Sequence, residues 1–170
     1  MDLSSLFSLE GLVTGGSHNL GKIIASAYLA QGAVVYISSC KADECDATAE
    51  ELDPNYHSLP EDFSTVRGIQ RLVAKKTKKL DILINNVGAF WSASFESFPE
   101  TEWDKVMDIN LKSPLILTQA LCPMLKIGGS GSHPAKVINI TSIDGPQLSA
   151  WDTYSYHASK SALVYLTRRL

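Results

Sequence analysis

The sequence lacks the features of a disulfide-stapled, metal-binding or membrane-spanning protein. Its 170 residues contain three cysteines, which form no CxxC pair, and four histidines, which show no HExxH spacing. No apolar run approaches the ~18 residues that a spanning helix needs, and the start, Met1 to Leu3, has no basic residue of the kind that opens a signal peptide. We therefore expect no disulfide framework, no metal site and no membrane anchor, and we predict a cytoplasmic protein.

An excess of basic charge is also absent. Lysine and arginine number 15 against 18 acidic residues, which gives a net charge of -3. This balance offers no general attraction to nucleic acid or to anionic lipid, so we expect neither as a partner. With 45% hydrophobic and 19% charged residues the composition is that of a globular protein. The length fits one ordinary domain, and we predict a single domain over residues 1–170, without linker or repeat.

Short apolar runs alternate with amphipathic stretches along the chain. This alternation predicts an α/β fold of repeated βα units, in which helices cover both faces of a parallel sheet. The predicted strands are Leu12 to Thr14, Ala33 to Ser38, Leu80 to Asn85 and Lys136 to Thr141, with a weaker one at Tyr56 to Leu59. Apolar residues at helical spacing predict one helix that starts near Leu20 and another that starts near Val66 and ends in the lysines of 75–79. A last helix is predicted over Tyr154 to Leu170. A longer helix is predicted from Glu100 to about Gln119 or beyond, with Pro99 in its first turn and a kink at Pro114.

A glycine-rich turn, Thr14 to Gly21, joins the first strand to the first helix. In such a turn, backbone amides and a helix N-terminus converge where a phosphate could bind. Two other interpretations stay open at this point. The turn could be a tight βα connection that binds nothing. It could also belong to a phosphate-binding P-loop, since Gly16, Gly21 and Lys22 fit GxxxxGK, although Ile23 stands where a hydroxyl should meet Mg²⁺.

Tyr156 and Lys160 lie four residues apart and share one face of the predicted last helix. A nearby ammonium stabilises a phenolate and makes the tyrosine hydroxyl a usable acid or base at neutral pH. A surface tyrosine beside a solvated lysine would give the same spacing. Ser142 follows a predicted strand, as does the segment Asn85 to Gly88, and both are therefore placed at the carboxyl edge of the sheet, where ligands bind in open α/β folds. Asn110, inside the long helix, is a poor helix former.

Taken together, these residues resemble the short-chain dehydrogenase/reductase family along essentially the whole chain. The turn Thr14 to Gly21 is similar to that family's TGxxxGxG, Asn85 to Gly88 to its NNAG, and Asn110 to its helix asparagine. Ser142, Tyr156 and Lys160 resemble its catalytic triad. Within the family, the chain is most similar to the branch of rhamnolipid-type 3-oxoacyl-carrier-protein reductases and their fungal relatives.

The resemblance implies a Rossmann-type, doubly wound parallel sheet in a three-layer αβα arrangement. It also implies an oxidoreductase that transfers hydride between a nicotinamide cofactor and a carbonyl or alcohol substrate. Tyr156 would donate the proton, Ser142 would polarise the carbonyl oxygen, and Lys160 would promote ionisation of Tyr156 and hold the nicotinamide ribose. Asn110 would position a water in the proton relay. Tyr154 is excluded as the acid because Ala158, not a lysine, lies four residues further on.

The resemblance also implies a set of cofactor contacts. These are Thr14, Gly15, Ser17, His18, Asn19, Leu20, Gly21, Ser39, Lys41, Asp62, Asn86, Val87, Gly88, Tyr156 and Lys160. We expect NADP rather than NAD, because Ser38 and Ser39 end the second strand, where an acidic residue would favour NAD. Lys41 and His18 would face the 2′-phosphate, and Asp62 the adenine. Cys40 replaces an arginine that the branch often carries, and Asp43 and Glu44 lie beyond the strand.

Several positions depart from the family pattern. Asn19 replaces a glycine, which asparagine can do because it tolerates the left-handed region. Val87 replaces an alanine, the first strand is about three residues short, and an insertion near Trp151 lengthens the Ser142 to Tyr156 spacing. The family's last third, with its substrate loop, has no counterpart after Leu170. We therefore expect a truncated sheet with Lys136 to Thr141 as an uncovered edge, and a homo-oligomer if the chain folds. The alternative function is a catalytically silent nucleotide-binding or interaction module.

Overall fold

A computed structural model describes residues 6–52, 54–75, 78–147 and 150–170 of the chain. Its centre is a five-stranded parallel sheet in the order β3-β2-β1-β4-β5. The strands are β1 (Glu10–Thr14), β2 (Val34–Ser38), β3 (Tyr56–Ser58), β4 (Ile82–Asn85) and β5 (Lys136–Asn139). The helices are α1 (Asn19–Ala30), α2 (Ala42–Leu52), α3 (Val66–Lys75), α4 (Glu100–Met107), α5 (Ser113–Gly128) and α6 (Tyr154–Arg169).

Helices cover both faces of this sheet, because neighbouring strand residues point to opposite sides. In β1, Leu12 packs into a core that includes residues of α3 and α5, whereas Val13 packs into a second core with residues of α1 and α2. The fully buried residues of these cores include Leu12, Val35, Ile37 and Leu83. The prediction of a doubly wound, Rossmann-type αβα sheet is thus confirmed.

The predicted strands are all present, with shifted ends. β1 begins at Glu10 and pairs with β2 over five residues and with β4 over three. Although β1 is short, it is therefore paired on both sides. β5 ends at Asn139 rather than Thr141, although the backbone N–H of Ile140 still donates to Asn85. Within the described residues β5 is an edge strand, as predicted.

The predicted long helix is three consecutive segments. Between α4 and α5, residues Asp108–Lys112 form a π-helical turn, which ends just before Pro114. Pro114 lacks a backbone N–H and lies in the first turn of α5. The irregularity in the helix is therefore this π-helical turn on the N-terminal side of Pro114, close to the predicted kink. Pro99 is the N-cap of α4 instead of a first-turn residue. Near the end of α3, Lys76 and Thr77 lie outside the described residues, while Lys75 and Lys79 pair with Glu61 and Asp81.

Candidate active site

The glycine turn and the segment after β4 form one hydrogen-bonded unit at the carboxyl edge of the sheet. The hydroxyl of Thr14, at the end of β1, accepts hydrogen bonds from the backbone N–H groups of Asn86 at 2.9 Å and Val87 at 3.1 Å. The side-chain amide of Asn86 donates in turn to the Thr14 carbonyl at 2.9 Å. Because Thr14 is fully buried, these bonds fix the two segments against each other.

Close backbone approach explains the small residues of this unit. A Cβ added at Gly21 would lie 2.1 Å from the Gly15 carbonyl oxygen, and one added at Gly15 would lie 3.0 Å from the Asn86 amide nitrogen. Gly15 also has a φ of +66°, and Asn19 a φ of 44°, in the left-handed region that we expected asparagine to tolerate there. The N-cap of α1, His18, makes no side-chain capping bond. This narrow, amide-lined turn at a helix N-terminus fits the phosphates of a dinucleotide.

Charged side chains gather where β2 ends. The hydroxyl of Ser39 donates to the Lys41 carbonyl at 3.1 Å, and the backbone of Ser39 accepts from Glu61 at 3.0 Å. Lys41 Nζ lies 2.8 Å from Glu44, which also contacts His18. Glu44, in the first turn of α2, therefore reaches back to both basic residues of the predicted 2′-phosphate site.

Asp62 lies close to this edge, since Glu61, its neighbour, is bonded to Ser39. Its side chain is exposed and accepts hydrogen bonds from the backbone and the hydroxyl of Ser64, at 2.9 and 2.7 Å. These bonds shape the turn that leads into α3. They leave Asp62 at the surface, where a nucleotide base could reach it.

Tyr156 and Lys160 lie on α6 as the spacing predicted, with Lys160 Nζ 5.7 Å from the centroid of the Tyr156 ring. The lysine is 5% exposed and donates a hydrogen bond of 2.8 Å to the Ile140 carbonyl just beyond β5. Burial lowers the pKa of its ammonium, because water is lost around the charge. The interpretation as a solvated surface pair therefore does not fit Lys160.

Ser142 lies in a turn that packs against the same helix. Its hydroxyl accepts from the backbone N–H of Asp144 at 3.2 Å, and its carbonyl accepts from Gly145 at 3.1 Å. Gly145 contacts α6 closely, since an added Cβ would lie 3.1 Å from the Lys160 carbonyl oxygen. The hydroxyl of Ser161 donates to the Gly145 carbonyl at 2.5 Å, which fixes the turn on the helix.

Asn110 is 1% exposed and joins three segments of the chain. Its amide group donates to the Ala89 carbonyl at 2.8 Å and to the Ser159 hydroxyl at 3.0 Å, and its oxygen accepts from the Ala89 N–H at 2.8 Å. Both amide hydrogens are thus used within the protein. A Cβ added at Gly88 would lie 3.3 Å from Asn110 Oδ1 and 3.7 Å from Lys160 Nζ, so Gly88, Asn110 and Lys160 are close neighbours.

Sequence reasoning missed two groups that hold this arrangement. Ser159 is fully buried, accepts from Asn110 and donates to the Tyr156 carbonyl at 2.8 Å. His157 bonds to Thr153 at 2.9 Å and lies 3.9 Å from Asp144 in the Ser142 turn. The available signal was helical spacing, because Ser159 is three residues from Tyr156 and His157 is adjacent to it.

Other residues considered in the sequence lie away from this arrangement. Tyr154 donates to Asp152 at 3.2 Å and packs edge-on against Phe95 and Phe98. Ile23, which would need a hydroxyl in a P-loop, is 67% exposed on α1. In the part of the chain that the structure describes, no three acidic, histidine or cysteine side chains are placed to hold a metal ion, and no helix is long and apolar enough to cross a membrane.

Comparison with known proteins gives consistent matches. The family model described as short chain dehydrogenase matches residues 11–170. The rhamnolipids biosynthesis 3-oxoacyl-(acyl-carrier-protein) reductase of Pseudomonas aeruginosa is 40% identical over 172 residues, which are 96% of this chain and 67% of that protein. An NAD-dependent glycerol dehydrogenase of Listeria innocua is 31% identical over 163 residues, covering 94% of this chain and 62% of its own length.

Solved structures agree with the sequence matches. The Pseudomonas aeruginosa RhlG/NADP active-site complex superposes with a TM-score of 0.94 at 38% identity, covering 99% of this chain and 68% of that one. A structure described as a putative betaketoacyl-ACP reductase gives a TM-score of 0.87 at 27% identity. The chain thus spans between 62% and 68% of the length of the two relatives and of the RhlG chain.

Proposed function

Because this chain belongs to the short-chain dehydrogenase family, we propose that it is an oxidoreductase that transfers hydride between NADP(H) and a carbonyl or alcohol substrate. The observation that carries the proposal is the buried Lys160, whose ammonium lies 5.7 Å from the Tyr156 ring centroid at the edge where the glycine turn also lies. Burying an ammonium costs free energy, because the charge loses hydration. Interaction of the ammonium with a reacting group would offset this cost.

Tyr156 is the proton donor in the reductive direction. Its hydroxyl protonates the substrate oxygen as the carbon is reduced, and Lys160 stabilises the phenolate that remains. The hydroxyl of Ser142 hydrogen-bonds the same oxygen and polarises it. The turn holding Ser142 is fixed on α6 by Gly145 and Ser161, so the two hydroxyl-bearing residues are positioned by one helix.

Asn110 is a positioning residue. Its bonds to Ala89 and Ser159 connect the segment after β4 to α6, and Ser159 continues the connection to the Tyr156 carbonyl. A water in the proton relay would need a partner other than the two amide hydrogens of Asn110, since both already have acceptors.

The nicotinamide cofactor supplies or accepts the hydride when it is bound. The residues that would hold it fit such a group. Thr14, Gly15, Ser17, Asn19, Leu20 and Gly21 form the pyrophosphate turn, Asn86, Val87 and Gly88 flank it, and Asp62 lies on the adenine side. Lys160 would bond the nicotinamide ribose. His18, Ser39 and Lys41 supply the imidazole, hydroxyl and ammonium groups that favour NADP over NAD, and the match to the NADP complex of RhlG supports this choice.

A 3-oxoacyl or similar ketone is the proposed substrate class, supported by the name of the Pseudomonas aeruginosa relative. We also propose a homo-oligomer in the cytoplasm, where reduced nicotinamide nucleotides are available. The second candidate is a nucleotide-binding module without turnover, in which the glycine turn binds a dinucleotide but no substrate is reduced.

A fluorescence titration with NADPH and NADH, monitoring energy transfer from the tryptophans, tests the cofactor site. We expect saturable NADPH binding that Gly15→Asp abolishes. Gly15 has a positive φ, and a Cβ added there would lie 3.0 Å from the side-chain amide nitrogen of Asn86. Gly131→Asp is the matched control, because nothing lies within 4 Å of a Cβ added there. A folded chain that binds neither cofactor would contradict the proposal.

A screen of ketones with NADPH tests the chemistry. Tyr156→Phe removes the proton donor and should lower kcat at least about a hundredfold, within the range for general acids. Tyr154→Phe, a matched loss of one hydroxyl two residues away, should leave kcat within about twofold, because Tyr154 bonds only to Asp152 among the hydroxyl contacts described. Cofactor binding without turnover of any ketone would favour the silent module.

A further inference from the structure

Four side chains form a charged group beside the glycine turn, which we call the Glu44 cluster: Ser17, His18, Lys41 and Glu44. Lys41 Nζ lies 2.8 Å from Glu44 Oε1, and His18 Nε2 contacts Glu44 Oε2. Ser17 and His18 share a hydrogen bond of 2.7 Å. A single carboxylate thus engages both basic side chains of this corner.

The Glu44 cluster lies at the end of β2, where the adenosine ribose of a dinucleotide would lie in this fold. The backbone N–H of Gly15 donates to the Ser38 carbonyl at 2.6 Å, which connects the glycine turn to the last residue of β2. Lys41 follows Ser38 by three residues, and in this fold the end of the second strand faces the 2′ position of the adenosine ribose. A 2′-phosphate there would meet the two basic side chains, Lys41 and His18, that Glu44 contacts.

We propose that the Glu44 carboxylate is an internal competitor for the 2′-phosphate of NADP(H): it holds Lys41 and His18 in the free protein and is displaced when the phosphate binds. This inference rests on the proposed function, because it requires a dinucleotide site. Glu44 therefore weakens the binding of NADPH and leaves that of NADH nearly unchanged. It thereby reduces the preference of the site for NADPH over NADH.

Charge and position support this competition. The hydrogen bond to Lys41 lowers the pKa of the Glu44 carboxyl, and the same bond raises the pKa of Lys41, so both groups are ionised at neutral pH. A carboxylate and a phosphate that share one ammonium repel each other. The side chains of Lys41 and Glu44 are 65% and 41% exposed, so water screens this repulsion, and its removal should change affinity about fivefold.

The test compares NADPH and NADH dissociation constants, from fluorescence titrations, for the wild-type chain, Glu44→Gln and Glu50→Gln. Glutamine keeps the shape of the side chain and removes its charge. Glu50 is exposed on the same helix, so its substitution controls for a general change in the charge of α2. We expect Glu44→Gln to bind NADPH about fivefold more tightly and NADH within twofold of wild type, and Glu50→Gln to leave both constants within twofold.

Two outcomes overturn the inference while leaving the proposed function in place. NADPH affinity that is unchanged or weaker in Glu44→Gln would show that the carboxylate does not compete. NADH affinity that falls in Glu44→Gln would show that Glu44 holds the ribose hydroxyls and favours NAD. Absence of binding of both cofactors to a wild-type chain that is folded by circular dichroism would overturn the inference together with the proposed function.

Discussion

Lys160 carries its ammonium into a position that is 5% exposed, with one hydrogen bond of 2.8 Å to the Ile140 carbonyl. Burial removes hydration from the charge and lowers the lysine pKa below its usual 10.5. The cost falls on the folded state, because the same ammonium is fully hydrated in the unfolded chain. The burial of Lys160 is therefore expected to reduce stability at neutral pH.

This cost gives a pH-dependent stability. Between the lowered pKa of Lys160 and 10.5, the unfolded chain binds more protons than the folded chain, so the free energy of unfolding attributable to Lys160 rises with pH. We expect the difference in unfolding free energy, wild type minus Lys160→Met, to be flat at lower pH and to increase as the pH approaches 10.5. Urea unfolding of both chains across this range measures it. A difference that stays constant or falls would contradict the desolvation of Lys160.

The residue types at the site were predictable from the sequence, but several of their partners were not. The turn Thr14 to Gly21 and the pair Tyr156 and Lys160 are visible as local spacing. The bonds of Asn110 join residues 21 and 49 positions apart, and such contacts leave no periodic signal. For the same reason, the burial of Asn110 could not be predicted from the sequence, since helix propensity would place an asparagine at the surface.

At the scale of elements, ion pairs with a glutamate connect α3 to the loop that precedes it. Glu61, 6% exposed in the loop before α3, contacts Arg71 at 2.8 Å and Lys75 at 2.9 Å on that helix. Burial raises the pKa of its carboxyl, but the hydrogen bonds from Arg71 and Lys75 outweigh burial and lower it below 4.5. The lysine-rich end of α3 therefore has a partner in the loop that carries Asp62, beyond its interaction with the helix dipole.

We expect Glu61→Gln to lower the free energy of unfolding by about 1 kcal/mol at pH 7, since Arg71 and Lys75 are about half exposed and screened by water. Because the folded pKa of Glu61 is depressed, its contribution is complete above 4.5 and is lost as the pH falls through the folded value. Thermal unfolding of wild type, Glu61→Gln and the exposed control Glu50→Gln at pH 7 and below pH 4 measures it. Equal losses at both pH values would contradict the ion-pair explanation.

The order of the elements was predictable from the sequence, because alternating apolar runs and amphipathic stretches specify parallel βα units. The π-helical turn Asp108–Lys112 was not. Only the proline that follows it pointed to an irregularity, and the hydrogen bonds of Asn110, a residue of this turn, go to Ala89 and Ser159, which are distant in sequence. Strand ends shifted by up to two residues where flanking hydrogen bonds, such as that of Ile140 to Asn85, continue past a strand.

At the scale of the whole molecule, β5 is the outermost strand on one side of the sheet among the described residues. Ile138 is paired in register with Ile84, yet Ile84 is 2% exposed and Ile138 is 37% exposed. Next to β5 lies a groove of about 640 Å³, lined in part by Leu115, Val137 and Leu170. Within the described residues β5 pairs only with β4, so its outer backbone groups and these apolar side chains are a template for association.

We expect this chain to self-associate through β5 in a concentration-dependent way, and Ile138→Lys to weaken the association at least about tenfold. A charge placed in a strand-edge interface loses hydration without gaining a partner, and a loss of about 1.4 kcal/mol is already tenfold in the dissociation constant. Ile23→Lys, at a 67% exposed position on α1, adds the same charge away from the edge and should leave association unchanged. Sedimentation velocity over a range of concentrations distinguishes the two variants. Equal association of Ile138→Lys and Ile23→Lys would show that the chain associates through another surface, or not at all, and that the exposed apolar groups of β5 are tolerated without pairing.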